Sequence, residues 1–229
     1  MAITVMKRYE LKYILNSEQT DYLCNCLKGH MKEDQYSNTT IASIYYDTPT
    51  YQLIRTSIEK PEFKEKIRLR SYGIATDKSP VYLELKRKAE GVVYKRRVQT
   101  TISDADKFFL GVSEISSQGQ INKEITTFRD YYKKLVPSCM IIYDRKSYYE
   151  PDGDLRLTID ENPRYRIDDL TLTKSMEGTS LLKEGYTILE IKVQDSLPMW
   201  LAEVLSKGRI YQSSFSKYGE AYSRQIARA

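Results

Sequence analysis

Arg, Lys and Glu recur at every second position in six stretches of this 229-residue chain. In 64–73, Lys66, Arg68 and Arg70 fall on one side of an extended backbone, with Ile67 and Leu69 on the other. In 80–88, Glu84, Lys86 and Lys88 oppose Val81, Leu83 and Leu85, and in 92–99 Lys95 and Arg97 oppose Tyr94 and Val98, with Arg96 breaking the pattern. Arg156, Thr158 and Asp160 oppose Leu155, Leu157 and Ile159, while Glu190 and Lys192 oppose Leu189, Ile191 and Val193. Near the start, Arg8, Glu10 and Lys12 oppose Tyr9, Leu11 and Tyr13. Gathered cations repel one another unless an anion or interleaved carboxylates offset them. A ligand with several phosphates meets that need, because Arg and Lys both make charge-assisted bonds to phosphate oxygens. The glutamates are hard oxygen donors for a divalent ion bridging such phosphates. An ordinary sheet with a solvated charged face gives the same alternation. Two features favour convergence on a ligand: the polar faces hold few Ser, Thr or Gln, and Glu10/Lys12, Glu84/Lys86 and Glu190/Lys192 repeat one Glu-x-Lys spacing.

The elements that must position these residues are mostly strands, at 4–15, 41–47, 64–73, 80–88, 92–101, 139–149, 154–160 and 186–193. Helical spacing follows Ser17, read as an N-cap, through Leu23, Cys26, Leu27 and Met31. Ser103 opens a short helix, 121–135 carries an apolar stripe, Pro198 starts a helix that Gly208 stops, and a last helix spans about 215–227. Asp47-Thr48-Pro49 reads as a strand-ending turn, and 161–185 as an irregular stretch with a short strand at 164–167. No repeat or linker divides the chain, so one domain over 1–229 is expected.

Composition narrows the classes of function. Hydrophobic residues make up 41%, enough for a core, and 36 Lys+Arg against 31 Asp+Glu leave a net charge of +5. His30 is the sole histidine, which counts against a Ser-His-Asp triad or a histidine-based metal site. Cys24, Cys26 and Cys139 match no zinc or disulfide spacing. Any metal is therefore held by carboxylates, which suits Mg²⁺ or Mn²⁺. No segment reaches the roughly 20 apolar residues of a membrane span, nor does Met1–Arg8 resemble a secretory signal. A cytoplasmic protein is expected, as a monomer, with a homo-oligomer left open.

Several runs together resemble the VTC domain, the polyphosphate polymerase domain of the triphosphate tunnel metalloenzyme (CYTH-like) superfamily. They are Tyr9-Glu10-Leu11-Lys12-Tyr13, Ile44-Tyr45-Tyr46-Asp47, Lys66-Ile67-Arg68-Leu69-Arg70, Glu84-Leu85-Lys86, Tyr143-Asp144-Arg145, Arg156-Leu157-Thr158-Ile159-Asp160, Leu189-Glu190-Ile191-Lys192 and Phe215-Ser216-Lys217-Tyr218. The resemblance implies an α+β fold, an antiparallel β-barrel with a charged interior and helices packed outside. It implies ATP, triphosphate or polyphosphate as ligand, with Mn²⁺ or Mg²⁺. Lys12, Arg68, Arg70, Lys86, Arg145 and Lys192 would contact the reacting phosphates, and Lys95 would join them. Glu190 would be the main metal ligand, aided by Glu10 or Glu84, while Ser216 and Lys217 would close over the anion at a helix N-terminus. Strand alternation adds Lys66, Lys88, Arg97 and Arg156 as substrate-binding candidates. Hydrolytic relatives begin with Glu-x-Glu-x-Lys, whereas Arg8 stands at the first glutamate position here. That leaves one carboxylate fewer for activating water and favours polymerase over triphosphatase chemistry. A metal-dependent triphosphatase and a non-catalytic polyphosphate-binding module remain the alternatives. Nucleic acid is not expected, because most of the 20 tyrosines alternate with apolar strand positions and suit core packing.

Overall fold

A computed structural model describes residues 9–90, 92–115 and 119–224. Among these residues the chain is α+β, with ten strands and six helices. It forms two compact units, each assembled from separate segments. The first comprises the segment ending at Thr40, Tyr143–Arg164 and Ser180–Lys217; the second comprises Ile41–Ile142, Tyr165–Thr179 and the segment from Tyr218.

The sheet of the first unit runs in the order β1 (Tyr9–Leu15), β10 (Thr187–Val193), β8 (Arg156–Arg166), β7 (Val136–Tyr149); the short β2 (Lys32–Glu33) also pairs with β7, and the short β9 (Thr179–Ser180) with β8. The β1–β10 and β10–β8 ladders are antiparallel. Tyr13, Leu15, Leu157, Ile159, Leu189, Ile191 and Val193 project to one face. Leu23 and Leu27 of α1 (Ser17–Leu27) and Leu201 and Leu205 of α5 (Met199–Lys207) cover that face as a buried core. The true N-cap of α1 is Asn16, not the expected Ser17. Asn16 accepts from the Gln19 amide and Gln19 reaches back to the Asn16 amide, a capping box that satisfies two orphan donors. Ser17 is the first helical residue, and its hydroxyl donates to the Gly185 carbonyl. Pro198 and Gly208 bound α5 as expected.

In the second unit the order is β7, β3 (Thr39–Asp47), β4 (Phe63–Tyr72), β5 (Val81–Ala89), β6 (Val92–Thr100), the long β7 contributing to both units. Its β3–β4, β4–β5 and β5–β6 ladders are antiparallel. Ala42, Ile44, Ile67, Leu69, Leu83, Leu85, Val98, Met140 and Ile142 form the buried sheet face. Helices α2 (Gln52–Ile58), α3 (Ile102–Phe109) and α4 (Gln120–Tyr132) pack on it through Leu53, Phe108, Ile125 and Phe128. Thr101, rather than Ser103, caps α3, its hydroxyl accepting from the Asp104 amide. The expected turn after β3 hides a helix. Asp47 is fully buried and accepts from the amides of Thr48, Leu53 and Ile54, so its carboxylate anchors the start of α2. Tyr218, in α6 (Lys217–Arg224), donates to the same carboxylate and hydrogen-bonds Ser138.

Among the described residues the outer strand of each unit, β1 or β6, has a ladder with one neighbouring strand only. The ladders are thus open, and the expected barrel is not closed by hydrogen bonds. Helices α1 and α5 in the first unit and α2, α3 and α4 in the second lie on the apolar face, which leaves the opposite, charged face uncovered by that core. No helix among the described residues is long and apolar enough to cross a membrane. Arg8 and the last residues of the expected final helix lie outside the described residues.

Candidate functional site

Antiparallel register converts the alternation into rows of neighbouring side chains. In the second unit one row reads Tyr45, Arg68, Glu84 and Arg97; the next reads Ser43, Arg70, Tyr82 and Gln99. Glu84 is 1% exposed and collects four cations. Arg68 clamps its Oε2 with Nε at 2.9 Å and Nη2 at 2.7 Å, and Arg70 approaches to 3.7 Å. Lys95 Nζ lies 2.7 Å and Arg97 Nε 3.5 Å from Oε1. Burial pushes the Glu84 carboxyl up, yet Arg68, Arg70 and Lys95 outweigh it and hold the group well below the usual carboxylate range. One carboxylate cannot neutralise four cations, so the cluster keeps a strong positive excess. Tyr45 and Ser43 brace it, accepting from Arg68 at 2.8 Å and Arg70 at 3.2 Å.

On the other side of the Glu84 row, Lys66, Lys86 and Lys95 stand abreast on three adjacent strands, and the row beyond pairs Lys64 with Lys88. Strands lie about 4.8 Å apart, and like charges directly opposite destabilise a sheet. The cost shows at Lys64, whose ammonium is pushed down by burial and then by Lys88, Lys60 and Lys86. Arg96, which breaks the alternation, faces the helices and pairs with Glu124 of α4 at 2.8 Å. Arg87 on the same side pairs with Glu65. Lys95 and Arg97 therefore belong to the charged face and Arg96 does not.

In the first unit, Lys12 stands opposite Glu190, and Glu10 opposite Lys192. Glu190 lies 2.8 Å from Lys192 Nζ and 3.9 Å from Lys12 Nζ. Burial raises its pKa, but Lys192, Lys12 and Arg145 together bring it well below the ordinary value. Beside it, Asp160 is fully buried and takes a two-point clamp from Arg145, at 2.6 and 2.8 Å, together with Lys217 at the start of α6. Burial acts against its charge, but Lys217 and Arg145 prevail and the carboxyl is held down at about 2. Lys217 Nζ also sits 4.3 Å above the Tyr143 ring, with Arg145 5.0 Å from the same ring. The segment ahead of α6 is fixed along β1: Ser213 N–H donates to the Lys12 carbonyl, and Lys12 Nζ donates to the Phe215 carbonyl. That places Ser216 next to Lys217 at the helix start. Arg156 shares its row with Lys192, but its guanidinium donates to the Leu155 carbonyl and lies near the Tyr149 ring.

The residues present fit a divalent ion. Glu190 and Glu10 occupy one face as diagonal neighbours across the β1–β10 ladder. Thr158, directly opposite Glu190 on β8, has a buried hydroxyl oxygen with no hydrogen-bond partner among the described residues. A buried orphan oxygen beside a carboxylate suits a water or ion ligand. Magnesium commonly takes only one or two carboxylates and completes its shell with water and substrate phosphates. In keeping with so sparse a donor set, no group of three or more His, Cys, Asp or Glu gathers among the described residues. Glu84 differs in degree: at 1% exposure it meets four cations, three of them arginines, where Glu190 meets two lysines.

Asp160, Thr158, Tyr45 and Tyr143 belong to these clusters although the sequence did not mark them as binding residues. Asp160 and Thr158 share the period-two face of Arg156, so position put them on the charged face. What position lacked was any sign of which cation Asp160 would meet.

No curated protein sequence matches the chain. A family model, VTC domain, matches residues 7–225, which span every strand and cation described above. Among solved structures, a Bacillus halodurans protein described as a candidate adenylate cyclase aligns over 97% of this chain and 98% of its own, at 14% identity and TM-score 0.57. HpAC1 of Hippeastrum, a candidate adenylyl cyclase with a dominant triphosphatase activity, aligns over 96% of each chain at 18% identity and TM-score 0.55. These two share the fold of this chain. Charged rows on an antiparallel sheet and a family model covering nearly all of the chain agree: the chain belongs to the VTC domain family.

Proposed function

We propose that this chain is a polyphosphate polymerase, moving the terminal phosphate of ATP onto a polyphosphate chain with Mn²⁺ or Mg²⁺. The observation that carries the reading is the row Lys66–Lys86–Lys95 beside the four-cation cluster on Glu84. Such like-charge crowding is offset by a ligand bearing many negative charges in line. Arg68, Arg70, Lys86 and Lys95 bind phosphate oxygens in the second unit. Lys12, Lys192, Arg145, Ser216 and Lys217 do so in the first. Glu190 and Glu10 would hold the metal, which when bound neutralises charge on the phosphates.

The chemistry asks little else of the protein. A terminal oxygen of the acceptor polyphosphate attacks the γ-phosphorus, the bond from that phosphorus to the β–γ bridging oxygen breaks, and ADP leaves. The attacking oxygen is already anionic, so no general base is needed. Catalysis rests on aligning donor and acceptor and on cations aimed at the charge of the transferring group. The enzyme acts as a single catalytic domain, and a cytoplasmic setting supplies its ATP.

Incubating the full chain with ATP and Mn²⁺ and recording phosphorus NMR tests this reading. Internal chain phosphates are expected to accumulate, and Arg68→Ala is expected to slow them about 100-fold. Orthophosphate alone would replace the polymerase with a triphosphatase. Binding of tripolyphosphate without any turnover would leave a binding module.

A further inference from the structure

Arg97, one of the four cations around Glu84, has surroundings that phosphate binding alone does not explain. The Arg97 guanidinium stacks on the Tyr82 ring, with its central carbon 3.7 Å from the ring centroid. Its Nη2 donates to the Tyr72 hydroxyl at 2.9 Å, and Nε stays 3.5 Å from Glu84. Tyr72 meets Tyr82 edge-on, with centroids 5.7 Å apart and planes at 77°. Three contacts thus fix one guanidinium plane. Even so, Arg97 remains 36% exposed and Tyr72 44% exposed. Gln99, directly opposite Tyr82, is exposed on the same face.

Here two tyrosines, one of them 44% exposed, hold a guanidinium that is itself exposed beside a row of phosphate-type cations. Inorganic polyphosphate has no flat or apolar part for a ring to contact. A nucleobase has both, and bases stack on aromatic rings and on guanidinium planes alike. Tyr82 precedes Glu84 by two positions on the same face, a step of about 6.7 Å along the strand. A ligand with phosphates at Arg68, Arg70 and Lys95 therefore reaches this ledge with whatever it carries next to them.

We infer that Tyr72, Tyr82 and Arg97 form a stacking ledge for the base of the nucleoside triphosphate donor, with Gln99 placed to hydrogen-bond the base edge. The inference rests on the phosphate-binding reading above and adds a determinant that separates nucleotide from inorganic triphosphate. Stacking is tolerant of base identity, so the ledge favours larger purines without strict selection among them.

Calorimetric titration of the full chain with ATP and, separately, with tripolyphosphate tests it. Tyr72→Ala is expected to weaken ATP about tenfold while tripolyphosphate changes less than about twofold. Arg97→Lys keeps the charge but removes the plane, and is expected to weaken ATP more than tripolyphosphate. Unchanged affinity for both ligands in Tyr72→Ala would overturn the ledge, as would an equal loss for both, since the latter marks a purely structural tyrosine. Failure of the unaltered chain to bind tripolyphosphate would instead bring down the phosphate reading, and the ledge with it.

Discussion

Lys95 carries the most pH-sensitive charge of the second unit's cluster. Burial, then Arg68 and Arg70, push its ammonium from 10.5 down to about 8, against the pull of Glu84. A lysine with a depressed pKa is cationic below that value and neutral above it. Polyanion affinity is therefore expected to fall as pH rises from 7 to 9, measured by titration with tripolyphosphate. Lys95→Arg should flatten that profile, because guanidinium stays charged throughout. A wild-type affinity that is level from pH 7 to 9 would remove Lys95 from the binding set. Asp160 shows the opposite case: with its carboxyl held at about 2 by Lys217 and Arg145, it stays ionised at any ordinary pH and acts as a fixed anchor. It holds those two cations in place through charge-assisted contacts.

At the scale of elements, α2 owes its place to one carboxylate. Tyr51, at the N-cap position just before the helix, has a left-handed φ of 58° and offers no side-chain cap. Asp47 at the end of β3 serves instead, taking two helix amides and the Tyr218 hydroxyl while fully buried. Asp47→Ala would strand those donors in the interior and is expected to cost about 3 kcal/mol. For a chain of this length that corresponds to a fall of roughly 6–12 °C in Tm, readable by circular dichroism. A change below about 2 °C would mean the amides find other partners. Strand alternation made the charged faces of β4, β5, β6 and β10 legible in advance. Helix α2 was not, because its start signal is a side chain several residues upstream rather than a local N-cap. Ser17 and Ser103 misled for a related reason: Asn16 and Thr101 stood one and two residues earlier with equally good capping oxygens.

For the molecule as a whole, both units expose cation-rich rows, and in each the excess charge is held by the fold. A ligand that binds only the folded chain must therefore stabilise it. Tripolyphosphate at 100 times its Kd is expected to contribute about 2.7 kcal/mol, a rise of roughly 5–10 °C in Tm. The shift should shrink as ionic strength rises, since salt screens the same charges. An unmoved Tm at millimolar tripolyphosphate and low salt would contradict polyanion binding outright.

The sequence by itself determined which side chains share a face, because a strand's period of two is local and needs no knowledge of its neighbours. It marked Lys12, Arg68, Arg70, Lys86, Lys95, Glu190 and Lys192 as one chemical set, and its motif succession pointed to the family. Only the tertiary structure decided the partners. The β1–β10 ladder joins opposite ends of the chain, so nothing local could place Lys12 beside Glu190 or Lys217 on Asp160. Nor could it turn Arg96 toward Glu124 or lay Arg97 on Tyr82. Those pairings depend on register between separate strands and on helices covering one face, and register is settled by burying all the apolar positions at once.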